Sequence, residues 1–305
     1  MEKNANILIV GHDDIIEKSL FAYLTKSGYT NVHSSSKIAL DATIQPSVYK
    51  YFQEQRPQYV FLGSTRSGGI EANRQNSGKF LYHNLESQNN IIYAAHKFQT
   101  KKLLYFAGSC VYPKECPQPM KPEHLLTGLL EPTSEAYSIA KIAGIKLCQA
   151  YRAQYGFNAI VAVPATVCGP QSSTDEHNAH VMGALMGKFI KAVKNNEATV
   201  TVWGSGKPRR EFIHADDFVR AAELLMNSYD NEETVHIGTG EDISISELAQ
   251  MIAQAVGFSG KIVYDTSKPD GAMQKLLDNS KLKSLGWTPR VRLLSAIEQM
   301  VKELK

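Results

Sequence analysis

The sequence predicts an α/β fold, in which helices cover both faces of a doubly wound parallel sheet. Residues 6–11 form a short apolar run that is typical of a buried parallel strand, and a helical pattern follows over residues 15–25. A second helical pattern covers residues 80–97. Further strand patterns lie at 59–63, 102–107 and 158–164. Strands that alternate with helices in this way indicate a parallel sheet.

Length, charge and cysteine content narrow the class of protein. The 305 residues suit one large domain or two smaller ones, and the formal net charge of +3 gives no reason to expect nucleic acid or a membrane surface as a partner. No apolar stretch approaches the roughly 18 residues of a membrane-spanning helix, and the N-terminus resembles a strand rather than a leader. The four cysteines form no C-x-x-C pair, so we expect no metal, reduced thiols and a cytoplasmic location. Lys101-Lys102 is interpreted as a solvated corner between a helix and a strand.

Tyr137 and Lys141 are the most informative pair of residues in the sequence. Because they lie four residues apart on a predicted helix, they share one of its faces. There an ammonium group can stabilise a phenolate and lower the pKa of the tyrosine towards neutrality. Such a tyrosine can donate or accept a proton at a carbonyl or hydroxyl, as hydride-transfer chemistry requires. The spacing also recurs by chance, and it is the segment 109–113 before it and Gly169-Pro170 after it that favour a functional role.

The turn after the first strand, Gly11-His12-Asp13-Asp14, stands where a dinucleotide would bind. A dinucleotide fingerprint has glycine at three positions, so that the backbone can approach a pyrophosphate at a helix N-terminus. Only Gly11 is present, and Asp14 and Glu17 occupy the spacings of the other two glycines. Acidic side chains would repel a pyrophosphate, which predicts weakened or altered cofactor binding. Alternatively, these acids only complement the dipole of the following helix.

The composition of the chain changes after Pro170, where a polar, loop-like stretch precedes further helices and strands. Helices are predicted at 180–195, 215–226 and 245–256, and strands at 198–203 and 235–238. Ser244 or Ser246 would cap the helix at 245–256. We assign residues 1–168 and about 213–240 to a dinucleotide-binding domain, and about 169–212 and 241–305 to a smaller substrate domain.

Several segments after about residue 56 carry a family resemblance. They lie at 68–73, 109–114, 117–120, 129–133, 140–148, 178–181, 202–206, 210–214, 267–271 and 275–278. In these segments the chain resembles the GDP-L-fucose synthase family of extended short-chain dehydrogenases/reductases. The resemblance implies a Rossmann-like fold and an NADP-dependent epimerase and reductase of GDP-4-keto-6-deoxymannose. It also implies a homodimer, formed through a pair of helices that includes the one with Tyr137.

The resemblance implies roles for four residues that handle protons. Tyr137 would protonate the C4 oxygen of the sugar, and Lys141 would hold the nicotinamide ribose. Cys110 and His180 match the pair that moves protons at C3 and C5, and a thiolate and an imidazole suit that chemistry beside a ketone. Taken singly, Cys110 could equally be a small buried residue and His180 a structural histidine.

Further residues are implied in catalysis and in binding. Ser109 lies one position after the family's catalytic serine, which is Gly108 here, and would replace it if the loop shifts. The implied cofactor-binding residues are Gly11, His12, Tyr137, Lys141, Pro164 and Thr166. The implied substrate-binding residues are Lys188, Trp203, Arg210, Lys275 and Asp278. Basic side chains in this set suit a nucleotide diphosphate, whereas Trp203 could also be a core residue.

The departures from the family pattern lie mainly on the cofactor side. Asp13 stands where the family has an arginine for the 2′-phosphate of NADP, and Asp14 and Glu17 replace glycines. The segments 63–66 and 164–166 also differ from the family. Three alternatives to the full activity therefore stay open. They are an epimerase without reductase activity, a non-catalytic homologue that binds a sugar nucleotide, and a reductase that uses NADH.

Overall fold

Strands and helices alternate along most of the chain, of which the computed structural model describes residues 1–12, 14–63, 66–175 and 179–304. The strands are β1 (Ile7–Val10), β2 (Val32–Ser34), β3 (Tyr59–Leu62), β4 (Lys102–Phe106), β5 (Ala159–Pro164), β6 (Thr166–Cys168), β7 (Thr199–Trp203), β8 (Arg209–His214), β9 (Val235–Ile237), β10 (Asp242–Ser244), β11 (Lys261–Asp265) and β12 (Gln274–Lys275). The helices are α1 (Ile15–Lys26), α2 (Gln45–Gln55), α3 (Ile70–Gln75), α4 (Ser77–Lys97), α5 (Glu135–Tyr155), α6 (Val181–Lys194), α7 (Ala215–Ser228), α8 (Ile245–Val256), α9 (Ser280–Ser284) and α10 (Leu293–Leu304).

A parallel sheet of six strands forms the centre of the larger region, and it confirms the predicted α/β fold. Its strand order is β2-β1-β3-β4-β5-β9. Strands β1, β4 and β5 are buried along their whole length, because helices pack on the sheet. The order reverses at β1, since the chain passes first to β2 on one side and then to β3 on the other. In open sheets of this kind ligands bind at the carboxyl ends of the strands next to such a reversal.

A smaller sheet is organised around β8. Strand β8 pairs with β10 in antiparallel orientation and with β6 and β12 in parallel orientation, while β7 and β11 form a separate parallel pair. Strand β8 was not expected from the sequence, which showed no strand pattern over residues 209–214. In the β8–β12 register Lys275 is the partner of Arg210, so these two basic residues lie side by side.

The buried apolar residues form two clusters. The larger cluster fills the central sheet and its helices, and the smaller one lies between α6, β7, α8 and α10. This separation supports the predicted division into two domains, which stays a prediction. Leu277, Leu282 and Trp287 pack in the larger cluster, although their segment was assigned to the substrate domain. Within the described ranges, no helix is both long and apolar enough to cross a bilayer.

Two predictions about helix ends have different outcomes. Ser244, rather than Ser246, caps α8, because its hydroxyl accepts a hydrogen bond from the N–H of Glu247. Lys102 is buried, so the predicted solvated corner is wrong at this position. Its Nζ donates to the carbonyls of Leu225 and Met226, at 2.8 Å each, and to that of Tyr229. These groups end α7, whose last carbonyls have no partner inside the helix and attract a positive charge.

Candidate active site

Tyr137 and Cys110 approach each other at the carboxyl end of β4. Tyr137 lies in the first turn of α5, and Ser109 and Cys110 lie in a single 3-10 turn that follows β4. A Cβ atom placed on Gly108 would lie 3.0 Å from the Tyr137 hydroxyl and 3.6 Å from the Cys110 Sγ. The hydroxyl and the thiol therefore face the same small space. Tyr137 itself crowds the place from which a serine side chain at position 108 would start.

Lys141 lies one helical turn after Tyr137 and is completely buried. Its Nζ donates a hydrogen bond to the carbonyl of Phe106 at 3.1 Å and lies 4.9 Å from the centre of the Tyr105 ring. Burial lowers the pKa of Lys141 to about 8, although the neighbouring Cys110 acts to raise it. Lys141 is thus an ammonium group at neutral pH with little water around it. A charge in such surroundings acts strongly on adjacent groups.

Lys275 lies close to the residues that are predicted to transfer protons. The sequence had predicted that it would bind the substrate nucleotide instead. His180 is exposed and immediately precedes α6, yet the protein around its imidazole lowers the pKa and the charge of Lys275 lowers it further. Burial also lowers the pKa of the Lys275 ammonium, and Cys110 opposes that shift. Lys275 therefore lies within electrostatic range of both Cys110 and His180, in addition to being the neighbour of Arg210.

Arg210 and Trp203 present a cation and an aromatic face beside this group. The Nη1 of Arg210 donates to the carbonyl of Arg209 at 2.8 Å, and its Nη2 donates to the carbonyl of Asp270 at 3.5 Å. The Trp203 ring is 40% exposed, and its centre lies 4.9 Å from the ammonium group of Lys188 and 5.1 Å from that of Lys268. Such exposure argues against the alternative that Trp203 is a core residue. An exposed aromatic ring with cations around it can stack a base and hold its phosphates.

Asp278 is occupied by the local backbone. Its carboxylate accepts a hydrogen bond from the N–H of Ser280 at 2.9 Å, at the start of α9, and the side-chain and backbone hydrogen bonds from Ser280 lower the pKa of Asp278. Its carbonyl accepts from the ring of His236 at 3.1 Å. The side chain predicted to touch the nucleotide thus already has a structural partner.

The two described acids of the first turn do not oppose a dinucleotide in the way that the sequence suggested. The Asp14 carboxylate caps α1 by accepting from the N–H of Glu17 at 2.9 Å, and burial raises the pKa of Asp14 to about 6. The Glu17 carboxylate is buried and accepts from the Ser34 hydroxyl at 2.6 Å and from the Ser36 N–H at 2.9 Å. Both carboxylates are therefore bonded to protein groups. Asp13 lies outside the described residues.

A cavity of about 430 Å³ lies at the carboxyl ends of β1, β2 and β3. Its lining is formed by Gly11, His12, Ser35, Ser36, Ala39, Leu40, Asp41 and Arg66, and it includes neither Asp14 nor Glu17. A Cβ atom on Gly11 would lie 2.5 Å from that of Glu17, so only glycine allows this strand end to approach α1 so closely. Burial, together with the charge of Arg66, lowers the pKa of His12 to about 4, so its imidazole is neutral at pH 7.

These features fit a dinucleotide cofactor. The cavity lies where the adenosine half binds in sheets of this type, and the buried Lys141 ammonium lies at the end of β4, on the nicotinamide side. Pro164 ends β5 and Thr166 begins β6, next to the end of β4. Ser35, Ser36 and Asp41 were not predicted from the sequence. All three lie in the connection between β2 and α2, and that position is the signal that could have revealed them.

Comparison with known proteins places the chain among epimerases and dehydratases. The model of the "NAD dependent epimerase/dehydratase family" matches residues 7–238. The chain belongs to this epimerase/dehydratase family. Within it, GDP-L-fucose synthase 1 of Arabidopsis thaliana is 44% identical over 298 residues, which cover 98% of this chain and 92% of that protein. The predicted resemblance to the GDP-L-fucose synthases is thereby confirmed, and it includes the first strands of this epimerase/dehydratase as well as its later motifs.

Two solved structures have the same fold as this chain and are about one third identical to it in sequence. A GDP-6-OMe-4-keto-L-xylo-heptose reductase from C. jejuni is 34% identical, with a TM-score of 0.93 and coverage of 99% of this chain and 98% of that one. A GDP-mannoheptose C4 reductase from Campylobacter jejuni, with NADP bound, is 36% identical, with a TM-score of 0.90 and coverage of 100% and 99%. The predicted Rossmann-like fold of the extended dehydrogenases/reductases is therefore confirmed.

Proposed function

We propose that the chain is an NADP(H)-dependent epimerase and reductase of a GDP-linked 4-keto-6-deoxy sugar, of the GDP-L-fucose synthase type. The approach of the Tyr137 hydroxyl and the Cys110 thiol to one point beside Gly108 carries this proposal. It places a proton donor for a ketone oxygen next to a group that can move protons on the neighbouring carbons. The relatives support GDP as the nucleotide and NADP(H) as the cofactor.

At C4 of the sugar, Tyr137 gives its proton to the ketone oxygen. NADPH, when bound, supplies the hydride. The Lys141 ammonium stabilises the tyrosinate that remains and binds the ribose hydroxyls of the cofactor, while its bond to the Phe106 carbonyl fixes its position. A cavity of about 340 Å³ opens beside Tyr137, with Asn73, Phe80, Thr133 and Ser134 in its lining, and offers room for the sugar.

At C3 and C5, Cys110 and His180 remove and return protons. The C4 ketone acidifies these C–H bonds, because the negative charge that forms is shared with the ketone oxygen. The nearby Lys275 ammonium stabilises that charge. Arg210 and Lys188 bind the diphosphate, and the exposed Trp203 ring stacks on the base.

The deciding experiment supplies the 4-keto-6-deoxy sugar nucleotide in D₂O. With NADPH, we expect loss of its absorbance and a product that carries deuterium at C3 and C5. Without NADPH, deuterium should still enter both positions, since proton exchange needs the ketone but no net hydride. Exchange without NADPH oxidation would instead identify an epimerase without reductase activity. Absence of both would identify a sugar-nucleotide-binding homologue, and faster turnover with NADH would contradict the preference for NADPH.

We also propose a homodimer that forms through α4 and α5. These helices pack on each other, and they leave Tyr82, Tyr93, Ile139 and Tyr155 exposed by 61%, 39%, 45% and 51%. Three exposed tyrosines and an exposed isoleucine on these two helices favour contact with a second copy. Light scattering should give twice the mass of the chain, and Tyr93→Glu should give a monomer. A monomeric wild-type protein would contradict the proposal.

Four cysteines without disulfide bonds support a cytoplasmic location.

A further inference from the structure

Tyr105 on β4 lies directly beneath the ammonium group of Lys141. The side chain is completely buried, and the centre of its ring is 4.9 Å from the Lys141 Nζ. An aromatic face attracts a cation within about 6 Å, and the attraction increases when water is excluded. Lys141 is itself fully buried, so this contact partly replaces the hydration that the ammonium group has lost.

The Tyr105 hydroxyl also acts on the backbone that carries Lys141. It donates to the Oε1 of Gln88 on α4 at 2.6 Å. The Nε2 of Gln88 in turn donates to the carbonyl of Ala140 at 2.7 Å. Ala140 directly precedes Lys141, so the ring and the hydroxyl of one tyrosine act on the side chain and the backbone of the same segment of α5.

Gly144 makes this arrangement possible. A Cβ atom on Gly144 would lie 2.4 Å from both the Cζ and the hydroxyl oxygen of Tyr105, which is far inside van der Waals contact. The glycine lies on α5 less than one turn after Lys141. The ring therefore reaches the ammonium group only because this helix position carries no side chain.

We propose that Tyr105 is a positioning residue for the reduction, which holds the Lys141 ammonium group in place and in its charged form. This proposal rests on the proposed function, in which Lys141 stabilises the Tyr137 phenolate and binds the cofactor ribose. Tyr105 touches neither substrate nor cofactor. Its ring acts on the Lys141 ammonium group, and its hydroxyl acts through Gln88 on the backbone beside Lys141.

Several other groups face the Lys141 ammonium and set the background against which Tyr105 acts. They are the Cys110 thiol after β4, the Asp14 carboxylate at the start of α1, the His12 imidazole after β1 and the Tyr137 hydroxyl on α5 itself. Changes of the ring at position 105 leave all four in place. A change in the pH dependence of function can then be assigned to the ring.

The test replaces Tyr105 by phenylalanine and by fluorinated phenylalanines, which keep the ring shape while fluorine weakens its attraction for cations. Loss of that attraction disfavours the charged form of Lys141, so its proton leaves at lower pH. We expect the upper pH limit of NADPH oxidation to move down by about 0.4 to 1.5 pH units between phenylalanine and pentafluorophenylalanine. NADPH affinity, measured by calorimetry across the same pH range, should weaken with the same pH dependence. Tyr105→Met should show the full shift.

Phe61→Leu is the matched control, because Phe61 is an equally buried aromatic residue on the neighbouring strand β3. This variant should lower the melting temperature without moving the upper pH limit of NADPH oxidation. If the fluorinated variants have the same melting temperature as the phenylalanine variant and the same upper pH limit of NADPH oxidation, the positioning role is refuted. If the wild-type protein binds no NADPH at any pH, the proposed function fails instead, and the two failures are distinguishable by this binding measurement alone.

Discussion

Gly144→Ala should destabilise the protein, although alanine is the better helix former. In an open helix the substitution contributes about 1 kcal/mol of stability. Here the new Cβ would lie 2.4 Å from two atoms of Tyr105, against an ordinary contact of about 3.5 to 4.0 Å. The two side chains must separate by about 1 Å in a region where Tyr105 is completely buried.

The size of the effect follows from these two terms. Overpacking of a core costs about 1 to 3 kcal/mol, and the upper value applies because the close atoms belong to a rigid ring. After subtraction of the helix term, we expect a loss of about 2 kcal/mol in the free energy of unfolding. For a chain of 305 residues, with an unfolding entropy of about 2.1 cal/mol/K per residue, this corresponds to a fall of about 3 °C in melting temperature. Displacement of Tyr105 should also weaken NADPH binding through Lys141.

Thermal melting followed by circular dichroism measures this fall, with Gly78→Ala as the control. Gly78 lies on α4 with nothing within 4 Å of its Cβ position, so alanine there should raise the melting temperature slightly. The double variant Gly144→Ala with Tyr105→Leu removes the crowding, and its two substitutions should cost less together than the sum of their separate costs. If Gly144→Ala melts at or above the wild-type temperature, the reasoning about Tyr105 and α5 is wrong.

Three further predictions concern other parts of the molecule. Tyr137→Phe should slow NADPH oxidation by about 10²- to 10⁴-fold while deuterium still enters C3 and C5, and equal loss of both activities in a stopped-flow and NMR comparison would contradict the separate roles. Asp14→Asn keeps the helix cap but removes a carboxyl whose pKa burial raises to about 6, so the wild-type free energy of unfolding should fall as the pH rises from about 4 to about 6, and equal falls for the variant in urea titrations would contradict this reasoning. Lys102→Met should lower the free energy of unfolding by about 2 kcal/mol in urea titrations, because three buried carbonyls lose a charged donor, and an unchanged midpoint would refute this account.

The fold and the central pair of the site could be predicted because their signals are local. Strand β1 is a continuous apolar run before a turn, and Ser244 precedes an apolar helix face with Glu247 three residues later. Tyr137 and Lys141 share a helix, so their spacing alone places them on one face. In each case the residues that decide the structure lie within one or two turns of each other.

The wrong or missing predictions involve contacts between distant parts of the chain. Lys102 appeared as half of a charged corner, but its partners are carbonyls 123 to 127 positions away at the end of α7. Glu17 was expected to repel a pyrophosphate, but its carboxylate is bonded to Ser34 at the end of β2 and to Ser36 just after it. In the sequence, Tyr105 resembles any aromatic residue of a buried strand, because its contact with Lys141 depends on the packing of α5 against β4. Local patterns contain no information about such pairs.

The position of β9 at the edge of the central sheet has a consequence for synthesis on the ribosome. Its partner β5 ends at Pro164, whereas β9 begins at Val235, about 70 residues later. Because the ribosome adds about 5 to 20 residues per second, β5 remains an unpaired, apolar edge strand for roughly 4 to 14 seconds. During that interval the nascent chain can pair with other strands. The protein should therefore depend on chaperones while it is being made more strongly than a relative whose sheet is complete before the second domain begins.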